Sequence, residues 1–454
     1  MSASVVDRPL PGPSRPYRFP RFERISLSNG LELIIAPVRR LPLVTVRFVL
    51  DAGARHEARE LAGVASLSAD ALAEGTRRLD AGALAEQFER LGGSLSSYAT
   101  WDATHLRTTV LSSRLESALT LLTEVLRTPA FVPREVERLQ QERLAELLEL
   151  KTEPRGLADE RFASSLYKLS SRLSIQEGGS ERTVRQLTVE NCHAWHANQF
   201  VPGVTALVIA GDVDVDSVVR LANDRLGDWK AAESPSPVVD DGPAREHPSL
   251  RLLDRPGAPQ TELRLGHVGL RRSHPDYFDV VVMNAILGGV FNSRINLNLR
   301  ERNAFTYGAF SSYEWRRDAA PFLVSTAVAT PVTAAAIREV MVELERMQVG
   351  LPSADEVALS TSYLDGVFPI RFETTAAIAS ALATLRTLQL ANDFYDTYRD
   401  RIRSVTRKGV ARAAQQHIHL DRLQVLAVGG RAQVEPMLGD LELGPVSLIG
   451  DDDE

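Results

Sequence analysis

The feature that most constrains the fold is an order of elements that repeats across one interruption. Residues 230–249 are rich in Pro, Ser, Asp and Gly and lack apolar periodicity, the composition of a boundary between folded units. Before it, alternating apolar and polar residues over 23–37, broken at Asn29-Gly30, predict a strand hairpin, and 43–50 predicts a third strand. A helix over 81–91 ends at Gly92-Gly93. Strands follow at 94–98 and 103–110, then helices at 115–126 and 133–151, a strand at 206–211 and a helix at 215–226. After the interruption the order returns: a strand at 261–267, helices at 277–287 and 293–302, and strands at 307–314 and 321–328. Helices at 333–348 and 354–367 and a last strand at 423–429 complete it. The stretches GGSLSSYATWDATHLRTTVLSSRLESALTLL and YGAFSSYEWRRDAAPFLVSTAVATPVTAAAI share one strand-strand-helix rhythm. The expected division is a flexible tail (1–20), a first domain (21–230), a linker (231–249), a second domain (250–445) and an acidic tail (446–454).

Length agrees, since 454 residues suit two domains of about 200 each. A net charge of -7 argues against a general nucleic-acid surface. Cys192 is the only cysteine, which excludes an intrachain disulfide. No stretch is expected to reach the ~18 apolar residues of a membrane span. The start, MSASVVDRPLPGPSRPYRFPRFE, has five prolines before Phe22 and no apolar h-region. It predicts a loose or strapping tail and a cytoplasmic protein.

The stretch GVASLSADALAEGT, residues 63–76, places Ser66, Ala69 and Asp70 at i, i+3 and i+4. On a helix these positions share one face. Two imidazoles at i and i+4 would reach one zinc ion, and a Glu at i+3 would take a proton from zinc-bound water. Here serine is a poor ligand, alanine cannot be a base, and one carboxylate remains. The nine histidines are His56, His105, His193, His196, His247, His267, His274, His417 and His419, and no two are four apart. No forward or inverted zinc helix of that type exists in this chain.

The frame around that stretch resembles the pitrilysin/insulinase-type metallopeptidases, which include the mitochondrial processing peptidases. Their zinc helix reads roughly G-x-A-H-F-L-E-H-x-x-F-K-G-T, and Gly63, Ala65, Gly75 and Thr76 keep its places. Further landmarks are AGARHE (52–57), FERLGGSLSSYAT (88–100), VLRTPAF (125–131) and VPGVTALVIAGDVD (201–214), so the resemblance covers about 20–445. It implies an α+β fold: two homologous α/β-layer halves, each a mostly antiparallel sheet of about five or six strands flanked by helices. The family's third zinc ligand is a Glu about 76 residues past the second His, a position held here by Glu146. A Glu-rich helix could also put a Glu there by chance.

In the second half LGGVFNSRINLNLRERNAFTYGAFSS, residues 287–312, matches the family's L-G-G-x-F-x-S-R-L-x-x-x-L-R-E-x-x-x-x-x-Y. The resemblance assigns Arg300 and Tyr307 to substrate binding: they reach a zinc site from the opposite half and stabilise the oxyanion as water attacks. The plain structural alternative pairs Arg300 with Glu301 and packs Tyr307 at a sheet edge. The function implied is a zinc-less subunit of a two-chain metallopeptidase. It would carry no metal itself, pair with a homologous subunit bearing an intact His-x-x-Glu-His helix and the zinc, and grip extended peptides. One alternative is a purely structural or peptide-binding protein of the same fold. Another is a hydrolase using a different metal at Asp70 and Glu146. Cys192, His193 and His196 are expected on a helix packing face. His417 and His419 are expected at the surface or a sheet edge, and 451–454 as a solvated tail.

Overall fold

A computed structural model describes residues 15–232, 246–441 and 443–450. Most of the expected linker and the 451–454 run lie outside the described residues. The first half contains strands β1 (Glu23–Ser26), β2 (Glu32–Pro37), β3 (Leu43–Leu50), β4 (Ser96–Ala99), β5 (Thr104–Leu111) and β6 (Thr205–Gly211). Its helices are α1 (Val64–Ala71), α2 (Ala81–Arg90), α3 (Leu115–Arg127), α4 (Pro133–Thr152), α5 (Pro154–Leu166), α6 (Glu181–Val184), α7 (Val189–Gln199) and α8 (Val215–Leu226). The second half has β7 (Ser249–Asp254), β8 (Gln260–Val268), β9 (Ala309–Tyr313), β10 (Pro321–Ala329), β11 (Gln424–Gly429) and β12 (Val446–Ile449). Its helices are α9 (Tyr277–Asn284), α10 (Arg294–Asn296), α11 (Thr333–Val349), α12 (Ala354–Val367), α13 (Thr375–Thr387), α14 (Phe394–Ser404), α15 (Arg407–His417) and α16 (Arg431–Leu438).

Each half forms one six-stranded sheet, in the orders β1-β2-β6-β3-β5-β4 and β12-β7-β11-β8-β10-β9. The five strands from β2 to β4 correspond in order to those from β7 to β9, so the repeat read from the sequence is a repeat of topology. Most neighbours are antiparallel; β2 with β6, and β7 with both β11 and β12, are parallel. The sheets differ at one outer strand. The first takes β1 from the chain start, through a hairpin turned by Gly30 at φ +89 with Asn29 accepting the Leu31 amide. The second takes β12 from the chain end. Val446–Ile449 is therefore a strand, which corrects the expectation of an acidic tail from 446. The 1–20 tail is corrected as well for its described part. Phe19 is buried against Phe372 and Tyr395, and the Arg15 carbonyl accepts from Arg399.

The halves exchange helices. α5, from the first half, covers the second sheet, where Leu157, Ala158, Phe162 and Leu166 pack with Leu253, Leu426 and Val428. α13, from the second half, packs on β3 and β6 of the first sheet. Polar ties accompany each exchange: Arg264 donates to Asp159 at 2.6 Å, and Arg47 donates to Ser380 at 2.7 Å. Arg317 reaches across to Asp51 and to the Thr387 carbonyl, and Arg55 pairs with Asp318 at 2.9 Å. Burial alone would raise the Asp51 carboxyl; the His56 hydrogen bond and Arg317 override it and hold it at about 2.

The helical run from Tyr277 to Arg302 is long and apolar enough, by composition, to cross a bilayer. Its apolar residues Val280, Met283, Leu287, Ile295 and Leu299 lie in the core of the second half, so that apolarity is already used in packing.

Candidate functional site

α1 is built from its N-terminus. Gly63 precedes it in the left-handed region at φ +99, and a Cβ there would stand 2.9 Å from the Gly178 carbonyl oxygen. The buried Glu57 carboxylate accepts the Gly63 and Ala65 amides at 3.0 and 2.7 Å, capping the positive end of the helix. Arg172, also buried, donates to the same carboxylate at 2.8 Å. Gly75 has φ +125, and Thr76 donates to Glu124 at 2.6 Å. The four retained positions of the motif thus have structural work that is independent of a metal. Ala69 is fully buried, and its carbonyl accepts from Ser97 on β4 at 2.6 Å. This bond fixes α1 beside the outer strand of the first sheet.

Ser66, Asp70, Arg143 and Glu146 line one cleft of about 650 Å³ between the halves, with Trp101 and Glu177 nearby and Glu314 and Arg316 from the second half. The three sequence-selected polar positions, Ser66, Asp70 and Glu146, therefore come together. Asp70 is open to the cleft water, yet protein surrounds it. Burial first, then Glu146, Glu142 and Glu74, push its carboxyl up to about 6, and Arg143 opposes them. Arg143 was not singled out by sequence. It pairs with Glu146 at 3.2 Å and donates to the Gly178 carbonyl at 3.2 Å, so a fixed guanidinium stands among carboxylates where the family has a metal. Its only sequence signal is an arginine on a Glu-rich helix. This donor set does not fit zinc: a serine hydroxyl, a buried alanine methyl, two carboxylates and a competing cation.

Arg300 and Tyr307 sit elsewhere. Tyr307 is 92% exposed and lines a second recess with Arg155, Glu262, Arg264, Thr306 and Phe310. Its hydroxyl has no hydrogen-bond partner among the described residues. Arg300 stacks on Phe291 at 4.6 Å and lies 3.6 Å from Glu301, while its Nη1 is shielded from water and unpartnered. The two recesses share no lining residue, but they run in sequence along one face of β10. Pro321 and Leu323 face the cleft, and Ser325 and Ala327 face the Tyr307 recess.

The other candidates divide. Cys192 is buried, its thiol pushed up to about 11 by burial, and His196 is bonded to the Leu126 carbonyl at 2.8 Å. Both serve packing, whereas His193 is exposed, with one edge-on contact to Phe131 at 5.1 Å, which corrects its expected place on the packing face. His417 departs from the expectation of a surface or edge residue. It is buried at the end of α15, 2.8 Å from Asp276, because the residue that ends this helix faces the N-terminus of α9.

Comparison with known proteins places this geometry. The family described as "Insulinase (Peptidase family M16)" matches residues 39–175, and "Peptidase M16 inactive domain" matches 186–362. A Rickettsia felis protein named "Uncharacterized zinc protease" is 24% identical over 327 residues, 72% of this chain and 78% of that one. The Helicobacter pylori "Non-peptidase homolog YmxG" is 21% identical over 401 residues, 86% of this chain and 90% of that one. In fold, a solved structure described as "peptidase M16 inactive domain" from Pseudomonas fluorescens superposes with a TM-score of 0.83 at 24% identity, covering 90% of this chain and 98% of that one. The structure of "a protease from Helicobacter pylori" also gives 0.83, at 17% identity, covering 90% and 100%. The chain belongs to the insulinase-type (M16) peptidase family, as a member whose zinc helix has lost the His-x-x-Glu-His residues.

Proposed function

We propose that this chain is the zinc-less subunit of a two-chain metallopeptidase. Its partner is a homologous subunit with an intact His-x-x-Glu-His helix and the zinc. This chain contributes Arg300 and Tyr307, which bind substrate and stabilise the oxyanion in the partner's site. The observation that carries the reading is the pair of unsatisfied donors. A phenol that is 92% exposed and a guanidinium nitrogen shielded without a partner are both retained in a motif that the chain's own cleft does not use. Groups of this kind stabilise charge that develops on a carbonyl oxygen. Extended peptides have two outer strands to join, β4 beside α1 and β9 beside Tyr307.

A second reading, a scaffold or peptide-binding protein with no catalytic part, draws on the 3.6 Å approach of Arg300 to Glu301, which gives the arginine a local structural role. Use of Asp70 and Glu146 by another metal is disfavoured by the Arg143 charge, which pairs with Glu146 and acts on Asp70. The test is reconstitution with the zinc-bearing partner and turnover of a fluorogenic peptide. Tyr307→Phe is expected to lower kcat about 10²-fold, the size of losing one oxyanion donor, with partner binding unchanged. Arg300→Ala is expected to lose at least as much. Equal turnover of wild type and both variants at matched partner binding refutes the catalytic contribution and leaves the scaffold reading.

A further inference from the structure

Four of the nine histidines gather at one end of the second half. The ring centroids of His267 and His419 lie 5.0 Å apart, and those of His274 and His417 lie 4.9 Å apart. The first pair is internally satisfied. His267 Nδ1 bonds the Val268 carbonyl at 3.0 Å, and its Nε2 accepts the His419 amide at 3.1 Å. The second pair converges on a carboxylate. Asp276 Oδ2 is 2.8 Å from His417 Nε2 and 3.9 Å from His274 Nδ1.

We infer that His274, Asp276 and His417 form a binding site for one divalent transition ion of the zinc class, separate from the degenerate cleft. One ligand atom from each residue lies within 4.8 Å of the others. A tetrahedral ion with bonds of about 2.1 Å spaces its ligand atoms roughly 3.4 Å apart, and the observed 2.8 and 3.9 Å bracket that value. All three ligand atoms lie within 4.8 Å of one another, so closure draws the side chains inward around the ion. Two imidazoles and one carboxylate select zinc, cobalt, nickel or copper over magnesium and calcium.

The surroundings agree with a ligand set better than with a simple clasp. A His417–Asp276 hydrogen bond joins α15 to α9. His274 Nδ1 faces the same carboxylate and accepts the Asp276 amide at 3.1 Å, so it is in its unprotonated, acceptor form, and an ion bound there replaces that hydrogen bond. Arg412 lies beside the carboxylate. It is held by Asp279 at 2.6 Å and stands 3.6 Å from the other Asp276 oxygen, Oδ1, which orients the carboxylate from behind. Asp276 and Asp279 face Arg412, and Arg271 also acts on His274, so the charged groups around the imidazoles balance. His417 is buried, whereas His274 and Asp276 are partly exposed, so the ion has an entrance and an open fourth position. No local spacing in the sequence marks this set, because its members are far apart in the chain. These ligands come from the loop before α9 and from the end of α15.

The test uses the full-length chain, untagged and stripped with chelator, titrated with zinc by calorimetry and with cobalt by visible absorption. The expected result is one zinc per chain and tetrahedral cobalt bands. His274→Ala, at a partly exposed position, should weaken zinc binding at least about tenfold and abolish the bands, with an unchanged melting curve in chelator. Asp70→Ala with Glu146→Ala should leave binding intact. No uptake by the wild-type chain overturns the inference. So does uptake that survives His274→Ala or is lost in the Asp70/Glu146 variant.

Discussion

Replacing Asp70 by asparagine should make the protein more stable at neutral pH, and the gain should disappear in acid. The Asp70 carboxyl is held at about 6 against an ordinary 3.8. Between these values the folded chain keeps a proton that the unfolded chain has released, so stability falls as pH rises through that window. Above about pH 6 the penalty is complete. The shift of about two units would correspond to roughly 3 kcal/mol if the group were sealed from water. It is open to the cleft, so screening reduces the figure to about 1 kcal/mol. In a domain of this size that is a melting-temperature gain of about 2–4 °C. Asn keeps the shape and removes the charge facing Glu146, Glu142 and Glu74. Melting curves of wild type and Asp70→Asn, followed by circular dichroism in chelator, would be compared at pH 7.5 and pH 4. A lower melting temperature for the variant at pH 7.5 would show that Asp70 is a stabilising partner of Arg143 instead. An equal gain at both pH values would show that charge is not the cause.

Two other substitutions test the frame of the site. Glu57→Gln leaves the buried Arg172 without its counter-ion and weakens the α1 cap; a loss of about 3–5 kcal/mol is expected in urea unfolding, and a loss below about 1 would remove this ion pair from the account. Ser66→His with Asp70→His, made in the His274→Ala background to silence the other histidine cluster, should bind one zinc per chain with Glu146 as third ligand. Further addition of Arg143→Gln should tighten it by removing the opposing charge, and calorimetry showing no zinc in either variant would refute the placement of Glu146 as the third-ligand position.

Much of the fold was legible because its strands and helices obey local rules. α8 (Val215–Leu226) and α12 (Ala354–Val367) have the bounds their periodicity predicts. β12 was missed because Val446–Ile449 is short and stands next to an acidic run; its strand character comes from parallel pairing with β7, a partner nearly 200 residues away. The exchange of α5 and α13 was not legible either. A helix's apolar stripe shows that it is buried but not against which sheet. At the site, helical spacing picked out Ser66 and Asp70 and the family resemblance picked out Glu146, and the three line one cleft. Arg143, Glu57 and Arg172 were invisible because a charged residue in a charged segment gives no sign of its partner. The His274–Asp276–His417 cluster escaped because its members are 141 positions apart and meet only through the packing of α15 on α9.

These contacts also explain how α1 is held in place without a metal in the cleft. A metal that organises a site contributes folding energy only where no other contact fixes its ligands. Here α1 is fixed without one. Glu57 and Arg172 hold its start, the Ala69 carbonyl holds Ser97 of β4, and Gly63 allows the close approach of Gly178. Loss of the two histidines removed ligands from the cleft but none of these anchors. What loss of a divalent ion did leave was a group of carboxylates around Asp70 without their counter-charge. Arg143, paired with Glu146, returns part of it. Arg300 has local contacts in Glu301 and Phe291, so the exposed Tyr307 hydroxyl, which lines the recess along β10, is the group whose replacement separates the catalytic reading from the scaffold reading.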